Sequence, residues 1–114
     1  MPILVDSQGK EIISNIECAK SLFARGFGLI GRKNLSADRG FWIEPCNGVH
    51  TFGMRFALDV IYLKADGEVL RLFEWVQPNR LCPLVKGTRA VLELPAGAIA
   101  LYHMCVGNRY YLEM

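Results

Sequence analysis

At 114 residues and 52% apolar side chains, the chain is expected to form one domain, residues 1–114, around its own core. Six Phe, four Tyr and two Trp exclude a disordered chain. The net charge of +2 is weak and its 13 basic residues are scattered, which argues against duplex nucleic acid or an anionic membrane as a dominant partner.

The N-terminus, MPILVDSQGKE, has no basic segment leading into an apolar one, so the expected location is the cytoplasm. No apolar run approaches the roughly 20 residues that span a bilayer. Residues 3–5 and 11–16 read as two strands joined by a turn at Asp6-Ser-Gln-Gly9. Residues 18–27 have helical spacing, with Ala19, Leu22, Phe23 and Ala24 on one face. Gly26 and Gly28 should stop that helix. A polar loop at 34–40 precedes a short strand at 41–44, and Pro45-Cys-Asn-Gly48 is a turn by its residue types.

Residues 58–63 and 69–76 flank Asp66-Gly67, a strong hairpin signal. Residues 77–85 hold two prolines and read as a loop. Residues 88–94 alternate as a strand, 98–105 predict a short helix, and 109–113 return as a final strand. Strands outnumber helices and join mostly through short loops. The expected fold is mainly β: a compact antiparallel sandwich or barrel, jelly-roll-like, with one or two short helices. Cys18, Cys46, Cys82 and Cys105 never form a C-x-x-C pair, so they read as reduced, mostly buried thiols.

Six segments occur in a telling order. They are G-L-I-G-R at 28–32, P-C-N-G-V-H-T-F-G-M-R-F at 45–56, L-D-V-I-Y-L at 58–63, D-G-E-V-L at 66–70, G-T-R-A-V-L-E-L-P-A-G at 87–97 and V-G-N-R at 106–109. Together they resemble the small prokaryotic family called domain of unknown function 192, over roughly residues 19–111. The resemblance implies a compact β-sandwich and no substrate, cofactor or catalytic residue. Ala57 stands where the family usually has proline, and Asn108 where it usually has aspartate.

Residues 46–63 concentrate the chemistry. Asp59 interrupts a run that otherwise reads as buried strand, where an unpartnered carboxylate costs several kcal/mol. Alternation puts Arg55 on the same face, about 13 Å away by strand rise, and Arg89 is a second candidate cation. The expected partner of Asp59 is therefore an arginine, or a ligand in a pocket. His50 follows the P-C-N-G turn, on a loop of the kind that meets ligands. Trp42 and Phe52 are candidate cleft walls. Cys46, His50 and Met54 have a C-x3-H-x3-M spacing that resembles a blue-copper ligand loop, but the second histidine of such a site is missing upstream. His103 and Cys105 could join Cys46 and His50 only if the last turn folds over, so no metal or cofactor is expected.

The function expected from these residues is a non-catalytic small-ligand-binding module. Its candidate residues are Trp42, His50, Met54, Arg55, Asp59 and Arg89, with no catalytic set assigned. One alternative is an acid–base enzyme using Asp59 or Glu44 with His50. Another is a protein–protein module, with Phe73, Trp75, Tyr110 and Tyr111 as an apolar patch.

Overall fold

Asp6 builds the first turn from its own side chain. Its Oδ1 accepts the N–H groups of Gln8 and Lys10 at 2.9 Å each. Strand β1 (Ile3–Asp6) thereby folds back on β2 (Glu11–Ile13). The computed structural model describes residues 2–19 and 34–114. Within them, β1 also pairs with the last strand, β8 (Tyr110–Glu113), giving a three-stranded sheet of order β2-β1-β8.

The strand expected at 11–16 is broken. At Ser14 the chain leaves the first sheet, and β3 (Asn15–Ala19) enters a second. Asp38 pins the switch, its carbonyl accepting the Asn15 N–H at 3.0 Å and its Oδ2 accepting Asn15 Nδ2 at 3.0 Å. The helix expected at 18–27 is corrected at its start, since Cys18 and Ala19 belong to β3; the rest lies outside the described residues. Pairing with β4 (Arg39–Ile43) overrides the helical spacing there, and this pairing is parallel. The sheets are therefore not antiparallel throughout.

The second sheet has the order β3-β4-β7-β5-β6. Its inner strands are β4, β7 (Ala90–Pro95) and β5 (Leu58–Leu63), with β3 and β6 (Val69–Val76) at the edges. Every residue of β5 is buried, which is why it reads as a near-continuous apolar run rather than an alternating one. One face of this sheet sends Trp42, Ile61, Leu63, Leu92 and Leu94 against Leu4, Ile13 and Tyr110 of the first sheet. The opposite face sends Phe41, Ile43, Leu58, Val60, Tyr62 and Val91 against Cys46, Val49, Met54, Cys82 and Val85 from two long loops. Tyr62 is fully buried and its hydroxyl donates to the Pro83 carbonyl at 2.6 Å. The result is sandwich-like, with two sheets and no closed barrel among the described residues.

The helix expected at 98–105 is cut to α1 (Ala98–Leu101). His103 takes a positive φ of 52°, which ends the helical path. No helix among the described residues is long and apolar enough to cross a membrane.

The hairpin turn between β5 and β6 docks on β8. Tyr110 N–H donates to the Gly67 carbonyl at 3.0 Å, and Gly67 sits at φ 88°. A Cβ on Gly67 would stand 2.5 Å from the Tyr110 carbonyl, whereas one on Gly9, at φ 80°, would meet nothing. Gly67→Ala should therefore cost more than the ~1 kcal/mol expected of Gly9→Ala, by about 2 kcal/mol or more. Urea unfolding of both variants checks this, and equal losses would contradict the docking.

Candidate functional site

Asp59 is fully buried at the second position of β5. The β5–β6 register runs Leu58 to Val76 and Val60 to Phe73, so Glu74 and Trp75 together oppose Asp59. This is a β-bulge, with Trp75 at a positive φ of 51°. The bulged Trp75 N–H donates to Asp59 Oδ1 at 2.9 Å. The other carboxylate oxygen, Oδ2, accepts the Ile99 N–H at 2.8 Å in the first turn of α1. That helix starts at Gly97, which has no side chain to cap it. Asp59 supplies the missing acceptor from another strand.

The partner expected for Asp59, an arginine or a ligand, is thus corrected. Among the described residues no cation pairs with it. Two backbone N–H groups offset its desolvation instead. Arg55 lies in the bend before β5 rather than in an extension of the strand, and it is exposed. Arg89 reaches Glu44, its Nε donating to Oε2 at 3.0 Å.

The remaining candidates separate. Met54 is core, packed under the second sheet with Cys46. His50 is exposed, stacks on Phe52 with ring centroids 5.2 Å apart, and its Nδ1 accepts the Phe52 N–H at 3.3 Å. Among the described residues His50 makes no hydrogen bond or ion pair with a carboxylate. No three His, Cys, Asp or Glu side chains among the described residues are placed to hold a metal ion. In the proposed apolar patch, Tyr110 is buried and Phe73 half-buried under Arg71, while Tyr111 and Trp75 are exposed.

Two of the candidates, Trp42 and Arg89, do meet. Glu44 joins them, its Oε1 accepting the Trp42 indole N–H at 2.9 Å and its Oε2 the Arg89 Nε. Arg89 is fixed by its backbone, donating to the Leu63 carbonyl at 2.8 Å and accepting the Cys46 N–H at 2.9 Å. Trp42, Glu44 and Arg89, with Leu112 of β8, line two adjoining cavities of about 500 and 230 Å³. The larger adds Cys18, Pro45 and Met114; the smaller adds Lys64 and Tyr111. The sequence pointed to Glu44 only as an acid–base candidate and to Tyr111 only as part of an apolar patch, and it did not single out Leu112 or Lys64. The alternation W-I-E, which puts Glu44, one residue past β4, on the side of Trp42, was the available signal.

Of the cysteines, Cys46 and Cys82 are buried, but Cys18 and Cys105 are exposed, which corrects the expectation of mostly buried thiols. Burial, with Glu93 adding to it, pushes the Cys82 thiol up from its ordinary value. Brief iodoacetamide treatment at neutral pH should label Cys18 and Cys105 well before Cys82, as read by peptide mass mapping. Asp59→Ala strands two N–H donors and should destabilise by about 2–5 kcal/mol, with Asp59→Asn losing roughly half as much. Urea midpoints of the two variants measure this, and an Asp59→Ala protein as stable as the parent would refute the bridging role.

Comparison with known proteins agrees with this architecture. A crystal structure of a Novosphingobium aromaticivorans protein of unknown function superposes with a TM-score of 0.83 at 21% identity, covering 97% of this chain and 84% of that one. A Sinorhizobium meliloti protein, described provisionally as a transcription regulator, gives 0.82 at 20% identity, covering 97% and 91%. A Burkholderia pseudomallei protein described provisionally as exported gives 0.54 at 14% identity, covering 98% of this chain and 24% of that one. At these identities the likeness is one of fold. No curated protein matches the chain. Residues 3–111 match the family DUF192, described as an uncharacterized ACR, and the chain belongs to that family.

Proposed function

We propose that the chain is a small-ligand-binding module whose site is the cleft at Trp42, Glu44 and Arg89, not the surroundings of Asp59. The observation that supports this reading is the Glu44 bridge, which holds an indole and a guanidinium side by side in the wall of a 500 Å³ cleft. That volume lies within the ordinary range for small-molecule sites. Arg89 commits only its Nε to Glu44; among the described residues its terminal nitrogens have no acceptor. They offer a forked donor to a carboxylate or phosphate. Trp42, Leu112 and Met114 offer apolar surface beside it. The ligand class that fits is a small organic anion with an apolar body.

Thermal-shift measurement against a panel of aromatic carboxylates, aliphatic carboxylates and organic phosphates tests the reading. A true ligand at about 100 times its Kd stabilises by about 2.7 kcal/mol, which raises the Tm of a domain this size by on the order of 10 °C. Arg89→Met should remove the shift while the protein stays folded, and Glu44→Gln should reduce it. A shift that survives Arg89→Met undiminished would place the ligand elsewhere.

A further inference from the structure

The two loops that cover the second core contain no acidic residue. Residues 46–57 and 77–88 carry Arg55, Arg80 and Lys86 with His50, and neither segment holds an Asp or Glu. The chain-wide balance of +2 conceals this segregation. Among the described residues, Arg55, Arg80 and Lys86 have no carboxylate partner, as is true of Lys10 and Arg71 elsewhere, whereas Arg39, Lys64, Arg89 and Arg109 each have at least one.

The loops are hydrogen-bonded to each other at one end. Thr51 N–H donates to the Arg80 carbonyl at 2.8 Å, Cys82 N–H to Val49 at 2.8 Å and Val85 N–H to Asn47 at 3.1 Å, so the segments run antiparallel. Thr51 is fully buried between them. Its hydroxyl donates to the Gln77 carbonyl at 2.7 Å and accepts the Arg80 N–H at 2.9 Å. Large apolar side chains nevertheless stand out from this end: Leu81 is 74% exposed, Leu84 76% and Phe52 46%. Leu81 bridges to His50, which stacks on Phe52, and Leu84 lies over Gly48, so the three share one surface.

We propose that this end docks on an anionic lipid surface. Arg55, Arg80 and Lys86 would meet the headgroup phosphates and carboxylates, and Phe52, Leu81 and Leu84 would enter the apolar boundary beneath them. The leucines favour lipid over the other acidic partners. Aliphatic side chains gain nothing from a phosphate backbone. Protein interfaces concentrate their binding energy in Trp, Tyr and Arg, with Leu under-represented.

Co-sedimentation with phosphatidylcholine vesicles, with and without phosphatidylserine, tests this. Binding should be several-fold stronger with phosphatidylserine and should fall with added salt. The pair Leu81→Ser and Leu84→Ser changes only exposed side chains, and should cut vesicle binding several-fold while circular dichroism stays unchanged. The pair Arg80→Glu and Lys86→Glu should abolish the preference for phosphatidylserine. Absence of binding to phosphatidylserine vesicles, or binding indifferent to the leucine substitutions, would overturn the proposal. So would single-stranded DNA or polyglutamate binding this end more tightly than the vesicles do, with no dependence on Leu81 and Leu84.

Discussion

The fold turns on one carboxylate that accepts two backbone N–H groups from different elements. Asp59 stands on the inner strand β5 and reaches sideways to the bulge in β6 and onward to the start of α1. Each contact repairs a local defect. The bulge leaves Trp75 N–H outside the ladder, and Gly97 leaves the helix without a side-chain cap. Buried N–H groups of this kind cost about 1–3 kcal/mol each when orphaned, a sizeable part of a domain's total stability. The polar residue in the apolar wall is thus a joint between three pieces of chain.

That joint orders one face of the second sheet. Ala98 and Ile99 of α1 pack with Ile61 and Leu63 in the core shared with the first sheet. Among the described residues, the opposite face packs against the loops that Thr51 ties together rather than against a sheet. The two faces therefore differ in kind. The seam between the sheets exposes the Trp42, Glu44 and Arg89 cleft, and the loop-covered side carries exposed leucines and cations that have no carboxylate partner among the described residues. Neither feature uses Asp59, whose oxygens are taken by Trp75 and Ile99.

Much of the fold was legible because burial leaves a periodic trace. The strands at 58–63 and 69–76, with Asp66-Gly67 between them, follow directly from apolar runs and turn chemistry. The break at Ser14 was not legible, because nothing local distinguishes a strand that continues from one that changes sheet. The parallel pairing of β3 with β4 was hidden for the same reason: it joins residues more than 20 positions apart. The candidate site was half legible. Trp42 and Arg89 belong to the cleft, while Met54 is packing and His50 is a surface stack.

The sequence by itself determined the mainly β character, the membership of its motifs in one family and the need of Asp59 for a partner. Those are properties of composition, spacing and the solvation of a single group. Only the tertiary structure decided who the partner is. Backbone N–H groups carry no signature in a sequence, since nearly every residue has one, and which of them lies beside a given carboxylate depends on the register of β5 against β6 and the turn into α1. The pairing of Arg89 with Glu44 was likewise settled by β7 lying next to β4, which puts side chains 45 positions apart within hydrogen-bond reach.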